Sequence, residues 1–223
     1  MNASRIAELL QPFTGEFQLP PGLIEQVQAY LELLLRWNAR INLTAVRDPE
    51  QIVTRHFGES LFASQLLARG FPADRPNHID QNPEDAVTSL ADVGSGAGFP
   101  GIPIKLIVPQ LELTLIESHN KKAVFLREVL RLLNLDHAHV FCGRAEQWGK
   151  RADVITLRGV EQFERVLSVA ASLVTPHGRL CLLIGAAQVG KALGLLGETW
   201  KWEEPVAIPG STERVALIGR RDH

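Results

Sequence analysis

The chain has 223 residues, 45% of them hydrophobic and 22% charged, with 23 basic and 25 acidic side chains. These proportions exclude a disordered tail, a collagen-like repeat and a coiled-coil rod, and a formal net charge of −2 carries none of the basic excess that marks a nucleic-acid-binding module. Apolar runs such as Leu180 to Ile184 fall far short of the roughly 20 residues a membrane-spanning helix needs, and Glu8 interrupts the segment where a secretion signal requires an apolar core. The expectation is a cytoplasmic protein, monomeric and without a membrane anchor.

Leu23, Val27, Tyr30, Leu31, Leu34 and Leu35 recur at helical spacing, so Pro21 to Trp37 is predicted as an amphipathic helix, with a shorter helix before it. After the loop NARINLTAV, Asp48-Pro49-Glu50 places a capping residue before a proline suited to the first helical turn, starting a helix toward His56. A further helix is predicted over Leu61 to Arg69. Gly70 to Asp85 holds three prolines and reads as a linker, which divides the chain into a helical extension, 1–85, and a second domain, 86–223.

From Ala86 short apolar runs alternate with helical ones. Strands are predicted at 87–93, 111–116, 140–142, 154–157 and 180–184, and helices at 102–108, 121–133 and 163–174. Parallel strands need long crossovers, and those crossovers cover the sheet, so the fold class is α/β with a mostly parallel sheet. Val206 to Ile208 and Arg214 to Gly219, joined through PGSTE, predict a closing hairpin with an antiparallel strand. Cys142 and Cys181 lie in apolar runs and read as small core residues, and Trp37 reads as packing among the first helices. His137 and His139 lack a third ligand, so no metal is expected.

The sharpest local signal is LADVGSGAGFPG, a strand ending at Val93 that runs into Gly94, Gly96, Gly98 and Gly101. Backbone must approach a ligand closely there, and in open α/β sheets the first strand's loop floors the ligand crevice. The segment from Gly96 formally matches the dinucleotide fingerprint, but it starts two residues late, and Pro100 and Pro103 remove helix-start donors that a pyrophosphate would use. The loop suits S-adenosylmethionine, which needs close backbone approach and acidic neighbours more than an anion nest. Glu117, ending the second strand 23 residues after Gly94, is placed to accept bonds from ribose hydroxyls. GRAEQ supplies Ala145 and Glu146 near the adenine edge, and Arg158 follows the fourth strand at the mouth.

Taken together, WNARINLTAVRDPEQIVTRHFGESL, the glycine segment through Leu135, GRAEQ and VITLRGV resemble the bacterial small-subunit ribosomal RNA methyltransferase G family, whose members methylate guanine N7 in the 16S decoding region. The resemblance implies a Rossmann-like class I methyltransferase fold and cofactor contacts at Gly94, Phe99, Ala145, Glu146 and Arg158, with Glu117 as the ribose acid. It also implies an RNA-facing signature in Asn42, Arg47, Arg55 and His56, with Arg158 reaching RNA as well, and 16S ribosomal RNA or the small subunit as partner. Three positions depart from the family pattern. Glu59 stands where aspartate is common, Ile184-Gly185-Ala186 lacks a common lysine, and Leu157-Arg158-Gly159 keeps only the arginine of its triplet. Guanine N7 bears a lone pair and no proton, so no catalytic base is assigned. Two other functions compete: a non-catalytic S-adenosylmethionine-binding assembly factor and a dinucleotide-dependent oxidoreductase.

Overall fold

The computed structural model describes residues 1–68 and 89–222. The linker expected at Gly70 to Asp85 lies outside them. Four helices come first: α1 (Ala3–Thr14), α2 (Leu23–Asn38), α3 (Pro49–Ile52) and α4 (Glu59–Ala68), with a π-helical turn over Val53–Gly58 between the last two. Asn2 caps α1 by accepting from the Arg5 N–H, and Asp48 caps α3 by accepting from Gln51 at 2.8 Å, as the Asp-Pro-Glu signal requires.

The second region alternates β1 (Ser89–Val93), α5 (Gly101–Ile107), β2 (Glu112–Glu117), α6 (Asn120–Leu132), β3 (Ala138–Cys142), β4 (Ala152–Arg158), α7 (Phe163–Ser172), β5 (Val174–Gly185) and α8 (Val189–Leu196). It closes with β6 (Trp200–Trp202), β7 (Val206–Ala207) and β8 (Arg214–Arg221). The strand order is β3-β2-β1-β4-β5-β8-β6, with β7 also on β8. Strands β1 to β5 pair in parallel, whereas β8 runs antiparallel to β5, β6 and β7. The predicted closing hairpin is therefore present. The sequence reading missed α8 and β6, because VGKALGLL is apolar nearly all round and WKW is too short to display an alternation.

The pleat sends alternate residues to two cores. Leu90, Leu113, Leu115 and Val154 join α5, α6 and the apolar sides of α1, α2 and α4 in one buried cluster. Ala91, Val93, Ile155 and Leu157 join α7 and α8 in the other. The helices of the first 68 residues thus share a core with the sheet. Trp37 corrects an expectation here: its indole N–H donates to Glu128 of α6 at 3.0 Å and its ring meets Phe125 edge-on, so it fastens α2 to a helix of the second region. Cys142 corrects another. It is exposed at the end of edge strand β3, where only β2 flanks the chain, while Cys181 on central β5 is fully buried. Among the described residues no helix is long and apolar enough to cross a membrane.

Strand order reverses between β1 and β4, so the helices that follow them leave on opposite faces and open a crevice at the carboxyl ends.

Candidate cofactor cleft and its two walls

That crevice is a cleft of about 730 Å³, bounded by the loops after β1, β2, β3 and β4 and, across the opening, by residues 43–45 and His56. Its size lies within the roughly 300–1,000 Å³ of small-molecule sites.

One wall is made of backbone. Gly94, Gly96 and Gly98 hold φ of +69°, +58° and +89°, the left-handed region that side chains disfavour. A Cβ at Gly96 would meet nothing nearer than the Gly94 carbonyl at 3.8 Å, so the space a side chain would fill is the cleft itself. A Cβ on Gly98 would run into the Tyr30 hydroxyl and Ile102. The loop is anchored at every turn. The Gly94 and Ser95 amides donate to the Ile116 carbonyl at 2.9 and 3.0 Å, and the Tyr30 hydroxyl donates to the Ala97 carbonyl while its ring stacks on Phe99 at 5.4 Å. Phe99 also meets Phe57 edge-on. Behind the loop, buried Asp92 accepts from Thr156 at 2.7 Å and from the Gly101 N–H at 3.3 Å; burial pushes its carboxyl up to about 6 against those bonds.

Glu117 closes this wall. One carboxylate oxygen accepts from the Gly96 N–H at 2.9 Å and the other from the His119 N–H at 2.7 Å. Each oxygen keeps a second lone pair, so the group is held rigid and still accepts from a diol. Ala145 and Glu146 sit on the single turn Ala145–Gln147 at the rim, where Glu146 pairs with exposed Arg165 at 3.3 Å. The residues present fit an adenosine with an uncharged-backbone approach and an acid for its ribose.

The facing wall is made of side chains. Glu59 is almost wholly buried, and one of its oxygens meets Arg158 at 3.1 Å and Arg214 at 2.9 Å. The same Arg158 nitrogen donates to the Arg55 carbonyl at 2.7 Å and faces His56 Nδ1 at 2.9 Å. On its other edge His56 Nε2 lies 2.7 Å from the Thr44 hydroxyl. Burial first, then the charges of Arg158 and Arg55, lower His56 from 6.5 to about 3, so it is neutral at physiological pH. His56 in the π-turn and Glu59 at the start of α4 are three residues apart, a spacing that puts both on one side of the helix, and both meet Arg158.

Gly94, Gly96, Phe99, Glu117, Ala145, Glu146, Arg158 and His56 all line the cleft. Arg47 and Arg55 do not. The Arg47 guanidinium donates to the Asn38 carbonyl at 2.7 Å and to the Asn42 side chain at 3.0 Å, closing the loop after α2. The Arg55 side chain borders a separate cavity of about 540 Å³ together with Phe13, Glu59 and Arg214, so the Glu59 cluster is a partition between two hollows. Thr44, Tyr30, Asp92, Thr156 and Arg214 were not singled out by the sequence reading. Thr44 and Asp92 lie inside the quoted motifs, but Arg214 stands 155 positions from Glu59 and no local pattern announces it. Among the described residues no three His, Cys, Asp or Glu side chains converge as metal ligands.

Residues 23–194 match the family model described as rRNA small subunit methyltransferase G. Proteins named ribosomal RNA small subunit methyltransferase G are similar over most of their length: one from Roseiflexus sp. is 37% identical, covering 87% of this chain and 82% of its own. A relative from Xanthomonas axonopodis pv. citri is 38% identical over 86% of this chain and 84% of its own. Among solved structures, a ribosomal protein L11 methylase from Lactobacillus delbrueckii superposes with a TM-score of 0.56 at 14% identity, covering 74% of this chain and 80% of that one. The N-methyltransferase NodS from Bradyrhizobium japonicum gives 0.54 at 16% identity, over 75% and 94%. At such identities the structures establish the fold alone, which is that of the Rossmann-like methyltransferases. The sequence matches establish more: the chain belongs to the rRNA small subunit methyltransferase G family.

Proposed function

We propose that the protein transfers a methyl group from S-adenosylmethionine to N7 of a guanine in the 16S ribosomal RNA of the small subunit, acting as a cytoplasmic monomer. The observation that carries this reading is the open, left-handed Gly96 facing the cleft with Glu117 beside it, in a chain of this family. Gly94, Gly96 and Phe99 would hold the cofactor's amino-acid side, Glu117 its ribose, and Ala145 with Glu146 its adenine. When bound, S-adenosylmethionine supplies an electrophilic methyl group on a sulfonium.

The chain's own residues have a task of alignment. Guanine N7 offers an in-plane lone pair and no proton, so nothing has to be deprotonated, and His56 is held neutral with its Nδ1 against Arg158, where it takes no proton from a substrate. Orientation of two reactants by rigid walls supplies about 7–11 kcal/mol of a barrier. Both walls are rigid for stated reasons, the first through backbone hydrogen bonds and the second through the ion cluster. Arg158 acts mainly by holding the second wall in place, with its guanidinium turned toward Glu59. The helices of residues 1–68 would present the RNA side of the opening, with exposed Arg55 and Arg47 near its edge.

A dinucleotide oxidoreductase is disfavoured by Asp92. This buried carboxylate takes the first N–H of α5, the donor that a pyrophosphate would need, and Pro100 at the helix cap contributes none. A non-catalytic binder is separated by experiment. Small subunits lacking the modification, incubated with the protein and methyl-labelled S-adenosylmethionine, are expected to gain one methyl at a guanine N7 of the 16S RNA. Binding of the compound without label transfer would overturn the enzymatic reading.

A further inference from the structure

We propose that Thr44 reads the target base, donating its hydroxyl proton to O6 of the guanine whose N7 is methylated. The inference rests on the substrate named above and on the polarity of one hydrogen-bond chain. The Arg158 nitrogen 2.9 Å from His56 Nδ1 carries hydrogens and cannot accept, so a proton on Nδ1 would be set against a donor; the ring proton of neutral His56 is therefore placed on Nε2. That proton can go only to the Thr44 hydroxyl oxygen at 2.7 Å. The same oxygen accepts from the Val46 N–H at 3.1 Å. Both lone pairs of Thr44 Oγ1 are therefore used, and the hydroxyl can offer nothing except its own hydrogen, for which the described residues provide no acceptor.

Thr44 is also fixed in place. Its N–H donates to the Asn38 side-chain oxygen at 3.1 Å and its carbonyl accepts from the Asn38 side-chain nitrogen at 3.2 Å. It lines the same cleft as Gly96 and Arg158, on the wall opposite the glycine loop. A rigid group that only donates selects a partner that only accepts. On the edge that carries N7, guanine presents O6, an acceptor, where adenine presents an amino donor. Guanine satisfies Thr44, whereas adenine sets donor against donor. Arg158 thus serves as a positioning residue, acting on the base through His56 and Thr44.

The test uses the full chain and small subunits assembled on RNA carrying guanine, inosine or 2-aminopurine at the modified position. All three keep N7, and only 2-aminopurine lacks O6. Wild-type protein is expected to methylate guanine and inosine alike and to lose about tenfold in kcat/KM on 2-aminopurine, the effect of one unmade hydrogen bond. Thr44→Val should lose about tenfold on guanine and nothing further on 2-aminopurine, Thr44→Ser should recover guanine methylation, and calorimetric affinity for S-adenosylmethionine should not change. Losses from Thr44→Val and from 2-aminopurine that multiply would overturn the assignment, as would a Thr44→Val defect confined to cofactor affinity. Thr44→Val also removes an acceptor from Val46 and His56, so the wild-type series stands by itself: equal rates on guanine and 2-aminopurine overturn the assignment without any variant. Absence of transfer to the guanine control by wild-type protein overturns the methyltransferase reading itself, and the base-reading role with it.

Discussion

The two walls of the cleft are built from different materials. The glycine wall is backbone folded over itself within 26 positions, from Gly94 to His119, and its shape comes from left-handed glycines whose amides find carbonyls and a carboxylate nearby. The facing wall is a set of long side chains from the loop after α2, the π-turn, β4 and β8, held together by a single buried carboxylate with two arginines on it. The difference teaches where each wall is fragile. The first fails when a side chain is added, and the second when a charge is removed.

The largest expected effect is on the second wall. Glu59→Gln leaves the part-buried Arg158 and Arg214 without the buried carboxylate between them, and losing one partner of a buried pair costs up to about 3–5 kcal/mol, measurable as a lowered urea midpoint at unchanged slope. Glu59→Asp keeps the charge and should lose much less. Equal losses in both variants would show that packing, not charge, holds this wall. Next, Gly96→Val fills the open side of the glycine wall. Cofactor affinity should fall at least about a hundredfold, or about 2.7 kcal/mol, while fold stability drops only by the left-handed backbone penalty of about 1–2 kcal/mol. Calorimetry and thermal melting separate the two.

The walls also differ in their response to pH. His56 sits near 3, below its ordinary 6.5, so the unfolded chain binds more protons between those values: its contribution to stability is full above 6.5 and is lost as pH falls toward 3. Asp92, behind the other wall, sits near 6, above its ordinary 3.8: its contribution is full below 3.8 and is lost as pH rises through 6. The two slopes oppose one another between about 4 and 6. Relative to wild type, Asp92→Asn should therefore gain stability as pH rises across that window, and His56→Gln should lose it, each by no more than about 1.4 kcal/mol per pH unit. Parallel curves for all three proteins would contradict both assignments. Smallest is Tyr30→Phe, which removes the hydroxyl from the Ala97 carbonyl and should cost about 1 kcal/mol in denaturant unfolding.

The contrast between walls is also a contrast in legibility. The glycine wall was readable because its determinants are local: a strand, a run of glycines and an acid at the next strand end all fall within one stretch of chain. The mostly parallel sheet followed from the alternation of strands and helices, and the closing antiparallel strand from the turn PGSTE between two apolar runs. Arg47 and Arg55 show the limit, since a motif identifies which residues matter but not which way a guanidinium turns. One proved to seal a loop and the other to border a separate cavity. Arg214 was unreadable for a different reason: it meets Glu59 only because β8 lies antiparallel beside β5, and that adjacency exists in the sheet, not in the string of residues. Cys142 misled because an apolar run on an edge strand looks the same in sequence as one in the centre.

The account depends on the cleft between these walls being the place where the methyl donor binds. A crystal structure of the protein with S-adenosylmethionine tests this most directly. The account predicts density along Gly94 to Phe99 with the ribose hydroxyls on Glu117 and the adenine beside Ala145. Density in the separate cavity beside Phe13 and Arg55, with the glycine wall bare, would contradict it.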